Sequence, residues 1–200
     1  MELVIASTNS SKVRELKSVL TEMFPAMVVY SLRDFPEYEP VDPSNRSFES
    51  NAAEKATAAA QALKKPCIAD ESGLVVPFLG LEQESLKRKQ MLPKDKKLPD
   101  TGQLLQDLAG VSEADREAFL ECTLALFVPG KGLVRLVSAR MEGSIALEER
   151  GPASFDFASV FIKYDYSKQL SMLSEAVLFR ISHRQKACEK LRTAIRESYS

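Results

Sequence analysis

The 200-residue chain lacks a large net charge of either sign, a long apolar run and any close pair of cysteines. Its formal net charge of −1 supplies no field that would hold a polyanion, so we expect no nucleic-acid partner. A local basic site for a small phosphorylated molecule is still compatible with that charge. No stretch approaches the roughly 20 apolar residues of a transmembrane helix, so we expect no membrane partner. Because no charged leader precedes the first apolar run, the default expectation is a cytoplasmic protein.

The cysteines are three in number, scattered and never in a CxxC arrangement: Cys67, Cys122 and Cys188. This pattern predicts buried, reduced thiols and argues against disulfides or a zinc site. With 44% hydrophobic and 28% charged residues, the composition is typical of a globular protein that folds without such cross-links.

The first third of the chain alternates apolar strands with amphipathic helices. A strand at 3–6 precedes a helix that stops near Pro25, and 27–30 reads as a strand parallel to the first. A second helix should begin near Ser47, with an alanine-rich face suited to close packing on a sheet. A buried strand at 66–69 should then deliver the next, polar residues to a loop at its carboxyl end.

The remainder predicts four more elements: a short helix at 103–108, a hairpin of 119–128 and 133–145, a strand at 160–162 and a helix at 184–198. The fold class is therefore α/β with a mixed sheet. No linker divides the chain, so we expect one domain over residues 1–200. The basic segment Lys87–Lys97 reads either as a solvated loop or as a phosphate-attracting lid.

Three polar clusters could carry chemistry. The first, at residues 7–12, follows a strand and opens a helix, so its N–H groups and Lys12 could hold a phosphate. It contains no glycine and is therefore neither a Walker A loop nor a dinucleotide fingerprint. An ordinary capped helix would look the same.

The second cluster is the adjacent carboxylates Asp70 and Glu71 after the buried strand. A divalent cation such as Mg²⁺ would relieve their repulsion, and one acid could then orient or deprotonate water. The alternative is a turn capped by Asp70. The third cluster, Ser182-His183-Arg184, holds the only histidine at the start of a helix. It could contact a base or a phosphate, or it could be a simple N-cap with a packed histidine.

Taken in order, short segments of the chain resemble the inosine triphosphate pyrophosphatase family. They are VIASTNSSKVRE at 4–15, SFESNAAEKA at 47–56, PCIADESGL at 66–74, CTLAL at 122–126, EGSI at 142–145 and ISHR at 181–184. Only residues 81–100 have no counterpart. The resemblance implies hydrolysis of inosine, deoxyinosine and xanthosine triphosphates to the monophosphate and pyrophosphate, with Mg²⁺. It also implies an elongated, two-lobed α/β fold with a central nucleotide cleft, and a homodimer.

The resemblance also implies a role for each matching residue. The triphosphate would be held by Ser7, Thr8, Asn9, Ser10, Ser11 and Lys12. The catalytic centre would comprise Asp70, Glu71, Lys12 and Lys55, supported by Asn51. Ser72 would touch substrate, and His183 and Arg184 would contact the base. The segment that reads the base falls at Phe155, Asp156, Phe157 and Ala158.

Departures from the family pattern concentrate at the residues expected to bind the metal and to recognise the base. The second acid is Glu71 in place of an aspartate, and a metal-binding glutamate falls at Pro43, where the neighbouring Asp42 could substitute as a ligand. The base-reading aspartate becomes Ala158, and a base-reading lysine becomes Leu178, with Arg180 the nearest cation. Lost hydrogen-bonding groups predict weakened base selectivity. The runner-up hypothesis is a catalytically weakened or inactive nucleotide-binding protein of this family.

Overall fold

The computed structural model describes residues 1–43, 47–79, 101–152 and 157–199. Its strands and helices are, in chain order, β1 (Glu2–Ile5), α1 (Ser10–Met23), β2 (Val28–Ser31), α2 (Phe48–Leu63), β3 (Cys67–Val75), α3 (Thr101–Asp107), β4 (Glu117–Val128), β5 (Gly132–Ile145), β6 (Phe161–Lys163), α4 (Glu175–Ile181) and α5 (His183–Ser198). The strand order is β2-β1-β3-β4-β5-β6. Strand β1 is parallel to β2 and to β3, whereas β5 and β6 are antiparallel. The predicted mixed α/β class is confirmed.

Helix α1 begins at an asparagine cap and ends at a proline signal. The Asn9 side-chain oxygen accepts hydrogen bonds from the backbone N–H groups of Ser11 at 3.0 Å and Lys12 at 3.2 Å. Because these N–H groups have no partner within the helix, the cap stabilises its first turn. The helix ends at Met23, and the capping residue Phe24 precedes Pro25, where proline disfavours helical backbone. The apolar stripe buries Leu16, Val19 and Leu20.

Helix α2 begins where the sequence predicts, with the Ser47 hydroxyl accepting from the Ser50 N–H at 3.0 Å. It ends at Lys64, whose φ of 54° lies in the left-handed region. Its alanine face packs against apolar residues of β1 and β3: Ala52, Ala56, Ala59 and Ala60 lie against Val4, Ala6, Cys67 and Ala69. Small side chains allow the helix to lie close to the sheet, as predicted.

Strand β3 is longer than the sequence predicts. It continues through Asp70-Glu71-Ser72-Gly73 to Val75, so the predicted loop at these residues is wrong. Polar residues usually indicate an exposed loop, but here Asp70 and Glu71 are buried and paired with cations from helices. The pairing compensates the charges, and the strand can therefore keep its regular backbone.

Several other predictions are confirmed within the described ranges. The hairpin of β4 and β5 turns through Gly130 and Gly132, each with a φ of 82°. Helix α3, strand β6 and helix α5 lie within two residues of their predicted positions. Helix α4 was not predicted. The basic segment at 87–97 lies outside the described residues.

The contacts divide the chain into two compact units. The first comprises Met1–Ser72, Cys122–Ala139 and His183–Ser200, and the second comprises Gly73–Glu121 and Arg140–Ser182. The prediction of one domain over the whole chain stays a prediction. Within the described ranges, no helix is both long enough and apolar enough to cross a bilayer.

The first unit contains all three cysteines, which are buried and free. Burial raises the pKa of the Cys67 thiol to about 12, and the pKa values of Cys122 and Cys188 also lie above their ordinary range, chiefly through burial. Thiols with raised pKa values stay protonated and weakly nucleophilic at neutral pH. They act as small apolar core residues, as the sequence predicts.

The second unit has its own apolar core and a buried arginine. The Arg116 guanidinium donates to the backbone carbonyl oxygens of Leu108 at 2.7 Å, Ala146 at 2.7 Å and Ile145 at 2.8 Å. These bonds join the chain after α3 to the end of β5. Ala158 is fully buried in this core, and Leu178 packs against it.

The close packing of α2 can be tested by enlarging one alanine. Replacing Ala56 by leucine should lower the free energy of unfolding by about 1–3 kcal/mol, because the added methylenes have no space against the sheet. Ala62→Leu on the exposed side of the same helix is the matched control and should change it by less than about 0.5 kcal/mol. Urea unfolding followed by circular dichroism measures both, and equal effects would contradict the packing described for α2.

Candidate active site

The first unit holds a fully buried carboxylate surrounded by donors. Asp70 accepts hydrogen bonds from Arg184 Nε at 2.7 Å, from Lys12 Nζ at 3.4 Å and from the Ser72 hydroxyl. Lys12 comes from the first turn of α1 and Arg184 from the first turn of α5. The structure therefore brings together four of the residues that the sequence predicts for the site.

Glu15 is a member of this cluster that the sequence prediction missed. Its carboxylate accepts a hydrogen bond from Arg184 Nη1 at 2.9 Å. Lys12 and Glu15 are three residues apart on α1, and such a pair lies on one face of a helix. That spacing was the available signal, but the partner of Glu15 lies 169 residues away in the sequence.

The charges of this cluster shift the pKa values of its members strongly. Burial alone would raise the pKa of Asp70, but the charges of Lys12 and Arg184, with hydrogen bonds from Ser72 and Arg184, hold it well below its ordinary value. Burial alone would likewise lower the pKa of Arg184, and the charges of Asp70 and Glu15 raise it instead. Asp70 is therefore a permanent anion at neutral pH and a weak proton acceptor.

The neighbouring acid has a different environment. The buried carboxylate of Glu71 accepts a short hydrogen bond from Lys55 Nζ, and the same ammonium donates to the backbone oxygen of Asp70 at 3.4 Å. Lys55 lies on α2, and its side chain is 20% exposed, so the ion pair is accessible from outside. The predicted catalytic residues Lys55 and Glu71 thus lie in direct contact.

The pleat of β3 separates the two acids. Consecutive side chains of a strand point to opposite faces of a sheet, so Asp70 faces α1 and α5 whereas Glu71 faces α2. Ser72, two residues after Asp70, shares the face of Asp70 and contacts it. The two carboxylates are adjacent in sequence but do not form a side-by-side pair on one surface.

The predicted phosphate cradle lies at the carboxyl end of β1. Thr8, Asn9, Ser10 and Ser11 are exposed, and Ser7 is half-buried, with its hydroxyl accepting from the Asn9 N–H at 3.2 Å. The Asn9 side chain already occupies the N–H groups of Ser11 and Lys12. A phosphate at this helix end would have to replace the Asn9 oxygen at those two donors.

The single histidine is buried at the start of α5. Burial, together with the positive charge of Arg184, lowers the pKa of His183 well below its ordinary value, so the ring is neutral at physiological pH. Its Nδ1 atom has no hydrogen-bond partner among the described residues. A neutral imidazole can accept or donate one hydrogen bond, which suits recognition of a polar ligand.

Within the described ranges, the remaining predicted residues do not come together as a metal site or as a base-binding site. Asp42 is exposed, and no three His, Cys, Asp or Glu side chains of the described ranges converge as a metal site. Phe155 and Asp156 lie outside the described residues. In the second unit, Phe157 and Ala158 are buried in its core and Arg180 is exposed on α4.

Asn51 is the last predicted residue of the first unit, and it is only 1% exposed on α2. It lies one helical turn before Lys55, so both side chains belong to the face that meets the sheet. Its Oδ1 atom is buried and accepts no hydrogen bond from a described residue.

Comparison with known proteins gives a consistent set of relatives. The model of the Ham1 family matches residues 3–194. The dITP/XTP pyrophosphatase of Protochlamydia amoebophila is 37% identical over 204 residues, covering 96% of each chain. Two solved structures are similar: a nucleoside-triphosphatase, dITP/XTP pyrophosphatase, from Mycobacterium abscessus (TM-score 0.74, 30% identity, 96% and 98% coverage) and a HAM1 protein from Coxiella burnetii (TM-score 0.83, 27% identity, 98% and 99% coverage).

The charge balance around Asp70 predicts a pH-dependent loss of stability. Asp70→Asn leaves partly buried Lys12 and buried Arg184 facing an amide, so at neutral pH it should cost about 3–5 kcal/mol in the free energy of unfolding. The folded pKa of Asp70 lies below the ~3.9 of an unfolded aspartate. The carboxylate's contribution is therefore complete above about pH 5 and is lost as the pH falls below about 4.

The difference in stability between wild type and Asp70→Asn should thus stay constant from about pH 7 to 5 and shrink by roughly 1 kcal/mol at about pH 3. Urea unfolding in metal-free buffer at each pH measures it. Glu37→Gln, which removes an exposed carboxylate, is the control and should differ little from wild type throughout. A difference for Asp70→Asn that does not change with pH would contradict the assignment.

Proposed function

Because the chain belongs to the Ham1 family, we propose that it is a nucleoside triphosphate pyrophosphatase that hydrolyses deaminated purine nucleotides (ITP, dITP and XTP) to the monophosphate and pyrophosphate. The observation that carries this proposal is the buried cluster of Asp70, Lys12 and Arg184 in a chain similar over nearly its whole length to dITP/XTP pyrophosphatases. No finding favours a non-catalytic nucleotide-binding protein.

We propose that Lys12 moves from Asp70 to the phosphates when the triphosphate binds. Its ammonium lies 3.4 Å from Asp70, whereas Arg184 lies 2.7 Å away and is also held by Glu15. The longer contact is the weaker of the two, so Lys12 is the cation that can be released. The exposed hydroxyls of Thr8, Ser10 and Ser11 lie in the same segment around the start of α1 and would contact the same phosphates.

The two acids differ in their surroundings. Asp70 faces two cations that favour its charged form and weaken it as a base, whereas Glu71 lies on the opposite face of β3, where it contacts Lys55. We therefore propose that Glu71 takes a proton from the attacking water. Asp70 in this scheme supplies a fixed negative charge, and Lys55 keeps Glu71 oriented.

The carboxylate oxygens of this site would bind Mg²⁺ only together with the phosphate oxygens of the substrate. This ion commonly takes one or two protein carboxylates, with phosphate oxygens and water as its other ligands. Asp70 or Glu71 would supply one such oxygen, since the two carboxylates lie on opposite faces of β3, and Asp42 remains a predicted further ligand. When bound, the ion would neutralise negative charge on the phosphates. The predictions of a homodimer and of a cytoplasmic location stay predictions.

Pyrophosphate release from ITP with Mg²⁺ tests the assignment of Glu71. Glu71→Gln keeps the shape of the side chain but cannot accept the proton, so kcat should fall by roughly 10²–10⁴ while KM changes little. Glu49→Gln in the exposed first turn of α2 is the control and should retain wild-type activity. Wild-type protein that releases no pyrophosphate from any triphosphate would contradict the function, and an active Glu71→Gln would contradict the role of Glu71.

Base selectivity should be weak. The two positions expected to read the base are apolar and belong to the core of the second unit, namely Ala158 and Leu178. In a site with polar groups at these positions, a wrong base leaves those groups without hydrogen-bond partners and is therefore rejected. A site without them imposes no such penalty. We expect kcat/KM for ITP, ATP and GTP to lie within about tenfold of one another, whereas buried hydrogen-bond readout reaches roughly 10⁴. Steady-state kinetics on the three nucleotides measures this, and a strong preference for ITP would contradict it.

A further inference from the structure

Asn51 carries a buried acceptor that the folded chain leaves unused. Its side-chain Oδ1 accepts no hydrogen bond from any residue in the described ranges, although the residue is only 1% exposed. Its backbone N–H is already used within the helix, donating to the Ser47 carbonyl at 3.1 Å. Buried acceptors without donors are rare in folded proteins because they lose their hydrogen bonds to water. A buried acceptor without a donor therefore suggests a function outside the free protein's own hydrogen bonds.

The position of Asn51 relates it to the proposed general base. Lys55 lies one turn after Asn51 on the same face of α2, and its ammonium contacts Glu71. Three residues, 64–66, join α2 to β3, so the helix and the strand run in opposite directions. One turn back from Lys55 is a step of about 6 Å toward the carboxyl end of β3. Asn51 thus lies on the side of Lys55 that faces the carboxyl end of β3, and Lys55 is the residue that contacts Glu71.

An attacking water needs two acceptors. Its two O–H bonds must both be directed away from phosphorus for a lone pair to face the reacting atom. Glu71 is one acceptor, but Lys55 can only donate. Asp70 lies on the opposite face of β3 and is already occupied by donors. The Oδ1 of Asn51 is a buried acceptor on α2, the helix whose Lys55 contacts Glu71.

We propose that Asn51 is a catalytic residue whose Oδ1 accepts one hydrogen bond of the attacking water while Glu71 accepts the other. This inference rests on the proposed pyrophosphatase function. In the reaction, the water oxygen forms a bond to one phosphorus of the α–β phosphoanhydride. The bond from that phosphorus to the bridging oxygen breaks, and its electron pair leaves on the other phosphoryl product. The proton from water passes to Glu71, so atoms and charge balance.

The decisive variant is Asn51→Leu, which keeps the approximate shape of the side chain and removes its acceptor. Single-turnover and steady-state hydrolysis of ITP with Mg²⁺ should show kcat lowered roughly 10- to 100-fold, the loss typical of a misplaced reactant. KM, and the Kd of a non-hydrolysable α,β-methylene analogue of ITP, should stay within about threefold of wild type, because the acceptor acts on water and not on the nucleotide.

Two further variants separate this role from a structural one. Asn51→Asp keeps an acceptor at the same place, next to the positive charge of Lys55, and should recover a large part of kcat. Thr57→Val removes a polar group elsewhere on α2, where the side chain is half-buried, and should leave kcat unchanged. The midpoint of urea unfolding should be unchanged or raised in Asn51→Leu, since the lost acceptor has no partner in the free protein.

The possible outcomes are distinct. A kcat for Asn51→Leu within about threefold of wild type overturns the inference, as does a raised KM with an unchanged kcat, which would assign Asn51 to nucleotide binding. A lowered unfolding midpoint with activity lost in proportion to unfolded protein also overturns it. If wild-type protein hydrolyses no triphosphate, the proposed function itself fails. If wild type is active and Asn51→Leu equals it, only the role of Asn51 fails.

Discussion

The ion pair between Asp70 and Arg184 is the interaction on which the candidate site depends. Two buried charges are costly to remove from water, and a single contact at 2.7 Å would not by itself offset that cost. The pair is tolerated because each partner has further contacts: Lys12 and Ser72 for the carboxylate, and Glu15 for the guanidinium. These contacts tie α1 and α5 to β3. The arrangement of both helices follows from a requirement for charge compensation.

The same compensation explains why two adjacent acids can have different chemistry. On one face of β3, positive charge dominates and keeps Asp70 ionised, which removes it as a useful base. On the other face, the carboxylate of Glu71 pairs with the ammonium of Lys55, which comes from α2. A regular strand therefore places the two adjacent carboxylates in separate electrostatic environments. A loop with both carboxylates on one side would have coupled the two titrations.

Periodicity and capping signals predict most of the fold, because they depend on residues close in sequence. The Ser47 cap, the alanine face of α2 and the glycines of the β4–β5 turn are examples. The course of β3 through Asp70 was not predictable in this way, since its charge is compensated by Arg184, 114 residues later. The residue types of the site were predictable from resemblance. Glu15, and the separation of the acids onto two faces, required the tertiary structure.

The sequence separations within the cluster have a consequence for biosynthesis. Arg184 pairs with residues 114 and 169 positions earlier, so the ion-pair cluster can close only after α5 has left the ribosome. Until then, Asp70 lacks its strongest partner and the strand that carries it contains an under-compensated buried charge. A nascent chain or a fragment that ends before α5 therefore cannot present a finished site. The pairing of Asp70 with both of its cations is therefore complete only after this helix has been synthesised.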